Sequence, residues 1–76
     1  MTAALPQPTP AAVRAAREAA GHTLAQAAAL VHYGAHSRWA EAERESGPGM
    51  RDLAKWELYL LKTGQHPGFS MLPRPR

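Results

Sequence analysis

Apolar residues recur at helical spacing in four runs between Thr9 and Gly64, and nowhere do they alternate as a half-buried strand requires. The first run opens at Thr9-Pro10. The Thr hydroxyl can cap an orphan amide there, and Pro at the first helical position forfeits no hydrogen bond. The run continues through Ala20 with Val13, Ala16 and Ala20 on one face and Arg14, Arg17 and Glu18 elsewhere, and Gly21 ends it. A second helix begins at Thr23, which has with Gln26 the spacing of a capping box. Leu24, Ala27, Ala28 and Val31 recur along it with Leu30 beside them. His32-Tyr33-Gly34 breaks the pattern, with Gly34 expected to take the positive φ.

The third helix is predicted from Ala35 or His36 to Glu45, with Trp39 and Ala42 inward and Ser37, Arg38, Glu41 and Glu45 outward. Ser46-Gly47-Pro48-Gly49 is a strong breaker. The fourth helix runs from about Arg51 or Asp52 to Thr63, with Leu53, Trp56, Tyr59 and Leu60 as its apolar face and Leu58 and Leu61 offset. Gly64 stops it and His66-Pro67 seals the exit. The chain therefore divides into a flexible arm over 1–8, a helical domain over 9–64 and an extended, Pro-rich tail over 65–76. The predicted fold is all-α, a compact bundle of about four short helices.

Composition narrows the class. At 76 residues the chain is one small domain near the lower limit for folding alone. It has no Cys, so neither a disulfide nor a Cys-based zinc site can reinforce it, and self-association is the remaining expectation. The net charge of +3 tolerates a polyanionic partner. No signal-peptide pattern or membrane-length apolar run is present, so the expected location is the cytoplasm. His32 and His36 have a metal-binding spacing, but Gly34 interrupts any helix between them. Ordinary turn and surface histidines are the expected reading, with no metal and no cofactor. The Ser and Glu residues form no acid–base or nucleophilic constellation, which argues against an enzyme and shows no small-molecule substrate.

Across about residues 9–66 the chain resembles the Xre/Cro family of lambda-repressor-like helix-turn-helix domains. The resemblance rests on Glu18 to Thr23 before the motif, Gln26 to Val31 in its first helix, and the Trp39 to Glu43 stretch that closes the second. Lys55 to Gly64 resembles the last helix of small phage and mobile-element members. Three features depart from the family pattern. Leu24 stands where many members carry a DNA-reaching Gln, and the turn between Val31 and Trp39 is one residue longer. From Ser37 to Ser46 there are two Arg against three Glu.

The resemblance implies that helices two and three form a helix-turn-helix, with the third lying in the major groove of DNA. Its N-terminal residues His36, Ser37 and Arg38 would then meet base edges, followed by Glu41. Arg38 suits guanine and Glu41 a cytosine amine, although the two could equally form a solvated i,i+3 pair. Thr23 and Gln26 would approach phosphate at the start of the second helix, or serve only as its capping box. Arg44, Arg51 and Lys55 flank the following loop as backbone clamps, or are plain surface charges. Trp56, Tyr59, Leu60 and Phe69 are candidates for a homodimer interface, with Met71 and Leu72 beside Phe69. Burial of the tail against the fourth helix within one chain is the competing explanation.

The expected function is sequence-specific double-stranded DNA binding by a homodimeric transcriptional repressor of phage or mobile-element type, acting by promoter occlusion. The rival is a protein-binding adaptor on the same scaffold that does not read DNA. Convergence of Arg14, Arg17, Arg44, Arg51 and Lys55 around the N-terminus of the third helix would favour DNA. An exposed Trp56-Tyr59-Leu60 patch would favour the adaptor.

Overall fold

A computed structural model describes residues 5–68 of the protein. These form four helices, α1 (Pro10–Ala20), α2 (Leu24–Leu30), α3 (His36–Ala42) and α4 (Leu53–Lys62), and no strand among the described residues. The all-α prediction holds. Helix starts follow the caps. Thr9 accepts from the Ala12 amide, Asp52 accepts from the Lys55 amide, and Thr23 and Gln26 complete their reciprocal box.

The ends of α1 and α2 share one device. After α1, Gly21 takes φ 74° while the Gly21 and His22 amides bond back to Glu18 and Arg17. This double bond around a left-handed residue satisfies the orphan carbonyls of the last turn. The same pattern closes α2, but its left-handed residue is His32 (φ 65°), not Gly34. The expectation at Gly34 is corrected. The chain turns two residues earlier, which makes Tyr33 the residue after the turn and lays its half-buried ring against the core. The third helix is also shorter than predicted and stops at Ala42. The Glu43 and Arg44 amides tighten onto Ala40 and Glu41 at three-residue spacing, so the helix does not continue to Glu45.

Val13 and Ala16 of α1, Ala27 and Ala28 of α2, Trp39 and Ala42 of α3, and Trp56, Tyr59 and Leu60 of α4 enclose one core. Val31 and the loop residue Met50 complete it. The small side chains at 27 and 28 let α2 pack closely on α3. Trp39 and Tyr59 meet with ring centroids 4.6 Å apart and a 56° tilt, which locks α3 to α4.

A polar hub borders this core. Arg17 of α1 grips Glu43 with two hydrogen bonds, Nε to Oε2 at 2.6 Å and Nη2 to Oε1 at 3.0 Å. The Trp39 indole donates to the same Oε2 at 2.6 Å. Arg17 also donates to the His22 carbonyl, and His22 Nδ1 shares a 2.8 Å hydrogen bond with the Tyr59 hydroxyl. Four segments thus meet at one carboxylate and its partners. The Glu43 side chain is only 10% exposed. Burial alone would raise its carboxyl. The hydrogen bonds from Arg17 and Trp39, with Arg17's charge, overcome this and hold it below its ordinary value.

The chain outside the helices is anchored where it is described. Pro8 is buried, Leu5 packs on the core, and Gln7 donates to the Pro48 carbonyl at 2.8 Å. A Cβ on Gly49 (φ 85°) would lie 1.9 Å from the Pro8 carbonyl oxygen, so only Gly permits this crossing. Within the arm over 1–8, Leu5 and Pro8 thus strap the chain onto the domain while Pro6 and Gln7 stay exposed; residues 1–4 lie outside the described part. After α4, the Gln65 side chain donates to the Ala16 carbonyl and His66 Nε2 pairs with Glu57 at 3.0 Å. Residues 69–76, with Phe69, Met71 and Leu72, lie outside the described part. No helix among the described residues is long and apolar enough to cross a membrane.

Glu43→Gln removes the charge but keeps the shape. It leaves Arg17 poorly matched and is expected to destabilise the fold by about 3 kcal/mol in denaturant titration at pH 7. A carboxyl depressed on folding contributes stability that is complete above its unfolded value and is lost as pH falls through the folded value. Wild-type stability should therefore decline as pH drops below about 4.5, and the variant should show a shallower decline over that window.

Candidate nucleic-acid interface

α2 and α3 pack directly and are joined by the His32–Ala35 turn, and α3 carries its N-terminal residues outward. His36, Ser37 and Arg38 are exposed, as is Glu41 one turn on. Trp39 is fully buried and Ala42 is 5% exposed, so the inward and outward sides of α3 are as predicted. No ion pair joins Arg38 to Glu41 among the described residues.

The seven described Lys and Arg residues fall into two groups. Four are engaged within the fold. Arg14 pairs with Glu18 at 3.1 Å, and Arg17 grips Glu43. Lys55 and Lys62 lie two helical turns apart on α4 and donate to the Val31 and Leu30 carbonyls, both at 2.8 Å. They supply the negative C-terminal end of α2 with cations. Lys55 also lies 5.0 Å from the Tyr33 ring centroid. The side chains of the other three, Arg38, Arg44 and Arg51, make no hydrogen bond or ion pair among the described residues, and all three residues line one cleft.

That cleft has a volume of about 540 Å³. Its walls are α3, the loop that follows, and the start of α4. Tyr33, Glu41 and Asp52 join the three arginines, and Ala42, Pro48 and Met50 give it an apolar side. The strap under Gly49 fixes the loop wall, because Gln7 and Pro8 hold Pro48 and Gly49 from behind. Burial raises the Tyr33 hydroxyl's pKa; Asp52 adds to this and Arg38 opposes it. These influences place the tyrosine among the cleft's charges.

Several predicted site residues sit elsewhere. Thr23 and Gln26 spend their side-chain oxygens on each other's amides, which the capping box explains in full. Lys55 points its ammonium into the fold and is corrected from phosphate clamp to structural cation. Trp56, Tyr59 and Leu60, expected at a dimer interface, are 7%, 0% and 8% exposed within the single chain. They belong to its own core, and their assignment to an interface is corrected. The reason is packing: a helix this close to Trp39 and Val13 must bury its large face. No group of three metal-ligating side chains occurs among the described residues. No family model, curated protein or solved structure matches the chain.

The sorting of cations predicts opposite responses to neutral replacement. Lys55→Met should lower stability by about 1.5 kcal/mol in chemical denaturation, because the Val31 carbonyl loses a charged donor. Arg51→Met should leave stability within about 0.5 kcal/mol of wild type.

Proposed function

We propose that the protein binds double-stranded DNA through α3 and the arginine cleft beside it, and represses transcription by occupying promoter sites as a homodimer. The observation that carries this reading is that Arg38, Arg44 and Arg51, the described Lys and Arg side chains left without an internal partner, line one cleft next to α3, where Arg14, Arg17 and Lys55 do not join them. Guanidinium groups free of intramolecular duties suit phosphate and guanine, both of which they can meet with two parallel donors. In a major-groove pose, Arg38 reaches a base edge while Arg44 and Arg51 follow the backbone. The family resemblance supports the same orientation.

Two features weaken the adaptor reading. Glu43 is turned inward and neutralised by Arg17, so the acidic excess of the third helix does not reach solvent. The Trp56-Tyr59-Leu60 patch that a protein partner would use is buried. A homodimer must then form through other surfaces, with the two half-sites about 34 Å apart on one face of the duplex.

Titration of a mixed-sequence duplex over a range of salt tests the electrostatic part. Affinity should fall steeply with salt, and Arg51→Ala should lower the slope of log affinity against log salt by about one. On a preferred site, Arg38→Ala should weaken binding by about 1–3 kcal/mol and relax preference at one position. Unchanged salt dependence in Arg51→Ala, with a folded protein, would remove the cleft from the DNA interface.

A further inference from the structure

The cleft carries more chemistry than a duplex backbone needs. A phosphate on the convex surface of DNA requires only guanidinium tips. This cleft adds an inner apolar side, an aromatic wall and two carboxylates, within a volume of about 540 Å³ that falls in the range of small-ligand sites. Its chemistry is graded. Arg38, Arg44 and Arg51 outnumber Glu41 and Asp52, so one negative ligand is favoured by charge. Tyr33 offers a ring against which a planar heterocycle can pack. Glu41 and Asp52 can accept from ribose hydroxyls or an exocyclic amine, and Asp52 Oδ1 already accepts from the Lys55 amide, which fixes it at the rim. Phosphate, aromatic ring and hydroxyl-bearing sugar together make a nucleotide.

We infer that the cleft binds a single mononucleotide, phosphate toward the arginines and base toward Tyr33, and that its occupancy excludes duplex DNA. The exclusion rests on the proposed DNA reading, because Arg38 and Glu41 would serve both ligands; occupancy of the cleft does not. A repressor built this way would carry its effector site inside its own DNA-binding surface. The sequence alone showed no small-molecule site, because Tyr33, Arg44 and Asp52 come together only through the turn after α2 and the strap behind Gly49.

Adenosine 5′-monophosphate is the probe, titrated into the full chain and followed by calorimetry and by NMR shifts of the cleft amides. Adenosine and inorganic phosphate are the controls. Saturable binding that shifts the amides of Tyr33, Arg44 and Asp52 is expected, weakened at least about tenfold by Arg44→Ala or by Arg51→Ala. Adenosine and phosphate alone should each bind about tenfold more weakly or not at all. Tyr33→Leu, checked for folding by circular dichroism, should weaken the nucleotide and leave phosphate unchanged. No saturable binding, or binding indifferent to both arginine variants, overturns the site. Binding of phosphate as tight as that of the nucleotide overturns the assignment of ligand class. A second titration, of duplex with and without the nucleotide, separates the two readings. A duplex that binds and is not displaced overturns the exclusion alone, whereas a protein that binds the nucleotide and no duplex overturns the DNA reading and leaves the cleft occupied.

Discussion

The carboxylate of Glu43 holds this domain together. It takes both arms of Arg17 from α1 and the Trp39 indole from α3, and Arg17 in turn fixes the His22 carbonyl at the start of the next turn. A chain of this size has little apolar area to hold four helices in one arrangement. Aliphatic packing of Val13, Ala16, Ala27 and Ala28 is small and tolerant of sliding, whereas a two-pronged guanidinium–carboxylate contact is not. Desolvating the two charges offsets much of their attraction, so the pair contributes more to a single register of α1 against α3 than to total stability. Every outward residue of α3 inherits its direction from that register.

Charge is apportioned with the same economy. Lysines serve where one ammonium must meet a helix-end carbonyl, as Lys55 and Lys62 do at the end of α2. Among the described residues, arginines either pair with a carboxylate or line the cleft. The result is a nearly neutral framework with an unsatisfied positive cleft on one side, next to the α2–α3 motif. The loop that completes the cleft has no helix of its own to stiffen it. The N-terminal strap contacts it instead, through the Gln7 hydrogen bond to Pro48 and by crossing at Gly49, where a side chain could not fit.

Much of the fold was legible because its signals are local. Thr9-Pro10, Thr23 with Gln26, and Gly21 each act within one helical turn, and each behaves in the structure as its residue type dictates. What was missed depends on contacts between distant residues. Glu43 reads as one more surface glutamate until Arg17, 26 positions away, is brought beside it. His32 took the left-handed turn in place of Gly34 because burial of Tyr33 fixed where the chain had to reverse. Gly49 reads in the sequence only as part of a helix breaker, and its contact with Pro8 depends on the fold. The aromatic face of α4 was ambiguous for a physical reason: helical spacing identifies an apolar face but not whether its cover comes from the same chain. The site was only partly legible. Arg38 and Glu41 follow from the outward side of α3, while the separation of Lys55 from Arg44 and Arg51 required the fold.

The proposal that α3 and its arginine cleft read duplex DNA is tested most directly by selection from a random duplex library at near-physiological salt. It predicts enrichment of a short motif, repeated as inverted half-sites about one helical turn apart. A folded protein that enriches no sequence would contradict it.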